Sequence, residues 1–96
     1  MLVNRRVIKV KVGCMDSIVE LLKREEDKMP EKIPYEILVP NFGTWETVVW
    51  EGRFESLAQY EQFWGAWIAQ ESTAEFFKVW DTLIEPGGTN ELWEVR

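Results

Sequence analysis

The stretch Trp50-Glu51-Gly52-Arg53-Phe54-Glu55-Ser56-Leu57-Ala58-Gln59-Tyr60-Glu61-Gln62-Phe63-Trp64 changes its period at Ser56. Before it, Val48, Trp50 and Phe54 share one face and Val49, Glu51 and Arg53 the other. That period of two predicts a strand from about Glu46 to Glu55. After it, Leu57, Tyr60, Phe63, Trp64, Trp67 and Ile68 recur at helical spacing as a broad aromatic stripe. Ser56 with Gln59 three residues on forms a capping box, so the strand runs straight into a helix.

Upstream, Tyr35 to Asn41 reads as a second strand, with Tyr35, Ile37 and Val39 on one face and Glu36 and Leu38 on the other. Asn41-Phe42-Gly43-Thr44 is its turn, and the two strands make a hairpin. Nearer the N-terminus, Ile8, Val10 and Val12 alternate with Val7, Lys9 and Lys11, a third strand. Ser17 with Glu20 predicts a helix cap, followed by Ile18, Leu21, Leu22 and Glu25 at helical spacing. The run Lys23 to Lys28 reads as that helix's solvated back, and Pro30 and Pro34 end it. Downstream, Ser72 with Glu75 is a further capping box, which predicts a break in the helical region near Gln70–Thr73. Phe76, Phe77, Val79, Trp80, Leu83 and Ile84 continue it, Pro86-Gly87-Gly88 stops it, and Glu91 to Val95 is a last strand.

The order β-α-β-β-α-β is the ferredoxin-like, split βαβ pattern of an α+β fold. Right-handed crossovers put both helical regions on one face of a four-stranded antiparallel sheet of order 4-1-3-2. The face under the helices is expected to hold Ile8, Val10, Val12, Tyr35, Ile37, Val39, Val48, Trp50, Phe54, Trp93 and Val95. The other face is expected to hold Val7, Lys9, Lys11, Glu36, Leu38, Val49, Glu51, Arg53, Leu92 and Glu94. Its aliphatics argue against full solvation and its six charges against a monomer core. A self-associating face satisfies both, and predicts a homodimer joined through it.

The chain has 96 residues, 46% hydrophobic and 29% charged, the size and balance of one soluble globular domain over residues 1–96. A net charge of -6 without a basic cluster argues against nucleic acid and anionic membranes as partners. The absence of His excludes His-based triads, HExxH zinc sites and His-ligated haem. One Cys gives neither a disulfide nor a zinc site, and no metal site or cofactor is expected. The first twelve residues read as strand rather than signal peptide, which points to a cytoplasmic protein with a reduced thiol.

The segment from Trp50 to Trp64 resembles the strand-to-helix signature of dimeric α+β barrel proteins. It is most similar to the NIPSNAP-like branch, which is related to antibiotic-biosynthesis monooxygenases. Element order, the broken second helical region and length extend the resemblance over nearly the whole chain. It implies two four-stranded sheets paired face to face in a dimeric barrel. Members include cofactor-free oxygenases, haem-degrading enzymes, small-molecule isomerases and proteins of unassigned activity. The haem-degrading members use a helical His, which is missing here.

Trp50, Phe54, Tyr60, Trp64, Trp67 and Trp80 are the candidate pocket for a small hydrophobic or aromatic ligand, with Tyr60 and Gln59 as polar handles. The same rings equally suit a solid core. Cys14 reads as a small buried hydrophobe rather than a nucleophile, and Glu36, Glu51 and Glu94 as ion-pair partners of Lys9, Lys11 and Arg53. Three readings follow: a NIPSNAP-like binder of unassigned activity, a cofactor-free monooxygenase-like enzyme, or a non-catalytic dimeric interaction module. The residues do not decide whether the protein is an enzyme.

Overall fold

Alternation in the strands and i, i+3, i+4 spacing in the helices build seven elements in a computed structural model that describes residues 1–96. They are β1 (Leu2–Val10), α1 (Met15–Asp27), β2 (Tyr35–Leu38), β3 (Thr47–Phe54), α2 (Leu57–Ile68), α3 (Ser72–Leu83) and β4 (Ile84–Glu94). The sheet runs β2-β3-β1-β4 with every neighbouring pair antiparallel, as the sequence predicted. The helices cover one face, and the molecule measures 36 × 35 × 20 Å, a slab two layers thick. Ile8, Val10, Val48, Trp50 and Phe54 from the sheet meet Ile18, Leu21, Leu22, Phe63, Trp67 and Phe76 from the helices in one core.

Helix starts are set by different residues than the capping boxes suggested. Ser56 behaves as expected: it is extended at φ -153, and its hydroxyl accepts from Gln59 N at 3.1 Å. Ser17 and Ser72 do not cap. Gly13, at φ +84, turns the chain so that Cys14 stands at the N-cap of α1, its carbonyl accepting from Ile18 N, and Ser17 lies exposed in the first turn. The break between α2 and α3 falls where predicted, but Thr73 closes it. Its buried hydroxyl donates to Trp67 O at 2.6 Å, while Glu71 precedes α3 without a side-chain cap. Ser56→Ala is therefore expected to cost about 0.5–2 kcal/mol in chemical denaturation, and Ser72→Ala close to nothing.

The last strand differs most from expectation. β4 begins at Ile84, directly after α3, and Pro86-Gly87-Gly88 lies inside it as a bulge. The register shifts there opposite Val7 and Lys9, and Gly87 takes φ +108. A side chain on Gly88 would collide with the Val7 carbonyl. An edge strand tolerates the proline because its missing N–H faces no partner. The pairing of Ile84 with Val10 sets the parity of β4, and the bulge, which inserts two residues, preserves it: Leu92 pairs with Asn4 and Glu94 with Leu2, both on the helix side, while Trp93 pairs with Val3 on the open side. The assignments of Leu92, Glu94 and Trp93 to faces are thus reversed. A run of Leu-Trp-Glu-Val has an apolar residue in either parity, so alternation alone does not fix it.

Further corrections concern strand ends. Val12 and Lys11 lie past the end of β1, and Val39 to Asn41 leave the sheet in a loop running to Glu46. Val12, Tyr35, Val39, Trp93 and Val95 are exposed rather than covered by helices.

Candidate functional site

Extending the β1 alternation back from Ile8 puts two polar residues, Arg6 and Asn4, under the helices. Asn4 is fully buried; its Nδ2 donates to Asn90 Oδ1 at 2.7 Å and to Glu91 O at 2.8 Å, tying β1 to β4. Its Oδ1 accepts from Arg6 Nε at 3.3 Å. The Arg6 guanidinium lies over the Trp64 ring, 3.8 Å from its centroid, a cation–π contact. Burial pushes the Arg6 pKa below its ordinary value, with Tyr60 opposing the shift.

The helix α1 supplies the opposite charge. Glu25 and Glu26 are 4% and 5% exposed, so the run from Lys23 to Lys28 is not simply a solvated back. Each carboxylate is held by an indole: Trp67 Nε1 donates to Glu25 Oε2 at 2.7 Å, and Trp50 Nε1 to Glu26 Oε1 at 2.8 Å. Lys32 reaches back to the last α1 carbonyls, 2.7 Å from Glu26 O. Trp50 has room to lie against the sheet because Gly52, two residues on, carries no side chain under it. Tyr35 stacks on Trp50 at 6.5 Å between ring centroids, and Trp64 meets it edge-on at 5.3 Å. Trp64, Trp67, Phe76 and Trp80 continue the chain of rings at spacings of 5.6, 5.3 and 5.2 Å. The Trp64 Nε1 is buried with no protein partner.

Between these groups lies a cavity of about 310 Å³. Trp50, Trp64, Trp67, Phe76, Phe77 and Trp80 give it aromatic walls, and Leu22, Met29 and Ile8 aliphatic ones. Arg6, Glu25, Glu26, Thr89 and Asn90 bring polar groups to it. Of the six pocket residues expected from sequence, Trp50, Trp64, Trp67 and Trp80 line this space. Phe54 does not: it is core, edge-on to Phe63 at 5.3 Å and to Tyr60 at 5.4 Å. Tyr60 packs there, half-buried, and Gln59 is spent at the helix start, where its Oε1 accepts from Glu55 N at 2.7 Å. Arg6, Asn90, Glu25 and Glu26 were missed. Both signals were present, since the β1 alternation reaches Arg6 and the spacing from Leu21 and Leu22 reaches Glu25 and Glu26.

Burial is the largest influence on Glu26 and raises its pKa; the Trp50 hydrogen bond and Lys32 pull it down less strongly. A carboxyl whose folded pKa is raised favours the fold when protonated. Its contribution is complete below the unfolded pKa and is lost as pH rises through the folded one. Glu26→Gln, which can still accept from Trp50, is therefore expected to stabilise the protein at neutral pH. Thermal melts of the two proteins should converge as pH falls below the ordinary glutamate range.

On the open sheet face, Glu51 bridges Arg5 at 2.9 Å and Arg53 at 3.6 Å within one chain. Val7, Lys9, Glu36, Leu38 and Val49 share this face through their pairings. No group of three or more His, Cys, Asp or Glu gathers to hold a metal ion, and no helix is long and apolar enough to cross a membrane.

A NIPSNAP domain protein from Burkholderia xenovorans superposes on the whole chain with a TM-score of 0.83 at 13% identity, over 95% of its own length. The chain has the NIPSNAP-type fold. A second NIPSNAP family protein, from Agrobacterium tumefaciens, matches 99% of the chain and 85% of its own at TM-score 0.83 and 16% identity. An antibiotic biosynthesis monooxygenase matches 100% and 99% at TM-score 0.74 and 16% identity, so the NIPSNAP-type and monooxygenase folds are one architecture here. The Burkholderia protein is uncharacterized, and no specific activity comes with the likeness. No family model matches the sequence, and no curated protein matches it.

Proposed function

We propose that this protein is a cytoplasmic homodimer whose cavity between the sheet and helices binds a small, largely apolar molecule. The observation that carries the reading is the convergence of Arg6, Glu25 and Glu26 on an aromatic space of about 310 Å³. That volume is near the lower end of ligand pockets, about 300–1,000 Å³, and a few polar groups in apolar walls are what fix a ligand's orientation. Binding is what is proposed; fold likeness carries no reaction.

The dimer rests on the open face. The chain exposes 6332 Å², where a compact monomer of its mass would expose about 5,800 Å². Leu38 and Trp93 lie exposed on that face, and Leu38 lines a second hollow of about 330 Å³ with Val7, Val49 and Phe42. A second copy offers the same patch and covers it isologously. Glu51, already paired within the chain, contributes local order there rather than a free charge for the seam. The thiol of Cys14, unpaired in the chain, fits a reducing compartment.

Native mass spectrometry of freshly purified protein tests both parts. The expected species is twice 11.4 kDa with a small-molecule adduct that collisional heating removes. A bare monomer that also takes up no added aromatic compound would contradict the proposal.

A further inference from the structure

The cavity holds two buried carboxylates that form no direct ion pair with any cation of the protein, Lys32 acting on Glu26 only from a distance. Glu25 and Glu26 take part in none of the chain's ion pairs, which join Arg5, Arg24, Arg53, Lys78 and Arg96 to other acids. Each is oriented by one indole hydrogen bond to one oxygen. Those indoles belong to Trp50 and Trp67, which are themselves walls of the space. The one guanidinium that lines the cavity, Arg6, is held elsewhere, on the Trp64 face and on Asn4. Buried carboxylates without a directly paired cation are costly, and aromatic faces around a negative centre are the environment that organic cations favour.

Resting on the reading of the cavity as a ligand site, we infer that its ligand is a small organic ammonium compound. The charged nitrogen sits against Glu25 and Glu26, and the apolar body lies among Trp67, Phe76 and Trp80. A cation there relieves the penalty that burial places on the ionised Glu26. Arg6 and Asn90 are left to meet a hydrogen-bond acceptor on the ligand, since a guanidinium has five donors and Asn4 and Tyr60 do not use them all.

Three probes of one shape and different charge test this by calorimetry at neutral pH: phenethylammonium, phenethyl alcohol and phenylacetate. Phenethylammonium is expected to bind at least about tenfold more tightly than the alcohol, and phenylacetate more weakly than either. Glu25→Gln and Glu26→Gln keep an acceptor for each indole and are expected to abolish the preference for the ammonium over the alcohol. Should either variant fold poorly, the comparison of probes on the unaltered protein decides alone. Equal binding of ammonium and alcohol would overturn the charge assignment and leave the cavity reading standing. Tightest binding of phenylacetate would overturn it in favour of Arg6 as the selecting group. Binding of none of the three up to about 10 mM, weaker than the roughly 4 kcal/mol of a millimolar complex, would overturn the ammonium assignment and the cavity reading together.

Discussion

Phe63→Ala is expected to lose roughly 3–5 kcal/mol, most of what holds a domain of this size together, as is Phe54→Ala. The two rings are 0% and 1% exposed and meet edge-on at 5.3 Å between the β3 end and α2. Phe63 also packs against Trp64 at 4.9 Å, and Tyr60 against Phe54 at 5.4 Å. Truncation leaves a void that neither the sheet nor a capped helix start can close, because Ser56 and Gln59 fix how β3 enters α2. The loss combines transfer and cavity costs. Trp80→Ala removes more atoms but from a ring that faces open space on one side. It is expected to cost markedly less. Urea denaturation of the three variants gives the comparison, and equal losses would contradict a cavity beside Trp80.

Leu38→Glu is expected to convert the proposed dimer to monomer, raising the dissociation constant at least about 100-fold, near 2.7 kcal/mol. Leu38 is 42% exposed on the edge strand β2, so a charge there is solvated in the monomer. In a dimer joined through the open face, the same charge is desolvated and lies on the same strand face as Glu36. Sedimentation equilibrium at micromolar concentration reads the change. Glu51→Lys is a poorer choice, since it first breaks the contacts to Arg5 and Arg53 within the chain.

The fold was legible because periods are local. The switch at Ser56, the element order and the break before α3 all follow from spacing, and the sheet order follows from the handedness of crossovers. What was not legible depends on partners distant in sequence. The parity of β4 is set by the pairing of Ile84 with Val10 before the bulge, a contact no alternation within Glu91–Val95 encodes. Ser17 and Ser72 stand in capping-box sequences, yet Gly13 and Thr73 decide where those helices begin. The site was legible in its apolar half alone. Four of its tryptophans stand out by spacing, whereas Glu25 and Glu26 fall on the helical spacing of Leu21 and Leu22 but carry charges within a run, Lys23 to Lys28, that reads as solvated. Their burial depends on indoles from β3 and α2 reaching α1, 24 and 42 residues apart in sequence.

The six tryptophans divide cleanly between the two surfaces: Trp50, Trp64, Trp67 and Trp80 line the cavity, while Trp45 and Trp93 are exposed away from it. Their indole N–H resonances in a proton–nitrogen correlation spectrum therefore separate ligand binding from self-association. Titration with phenethyl alcohol or phenethylammonium is expected to shift the four cavity indoles and leave Trp45 and Trp93 in place. Shifts confined to Trp45 and Trp93, or none at saturating probe, would contradict a ligand site between the sheet and the helices.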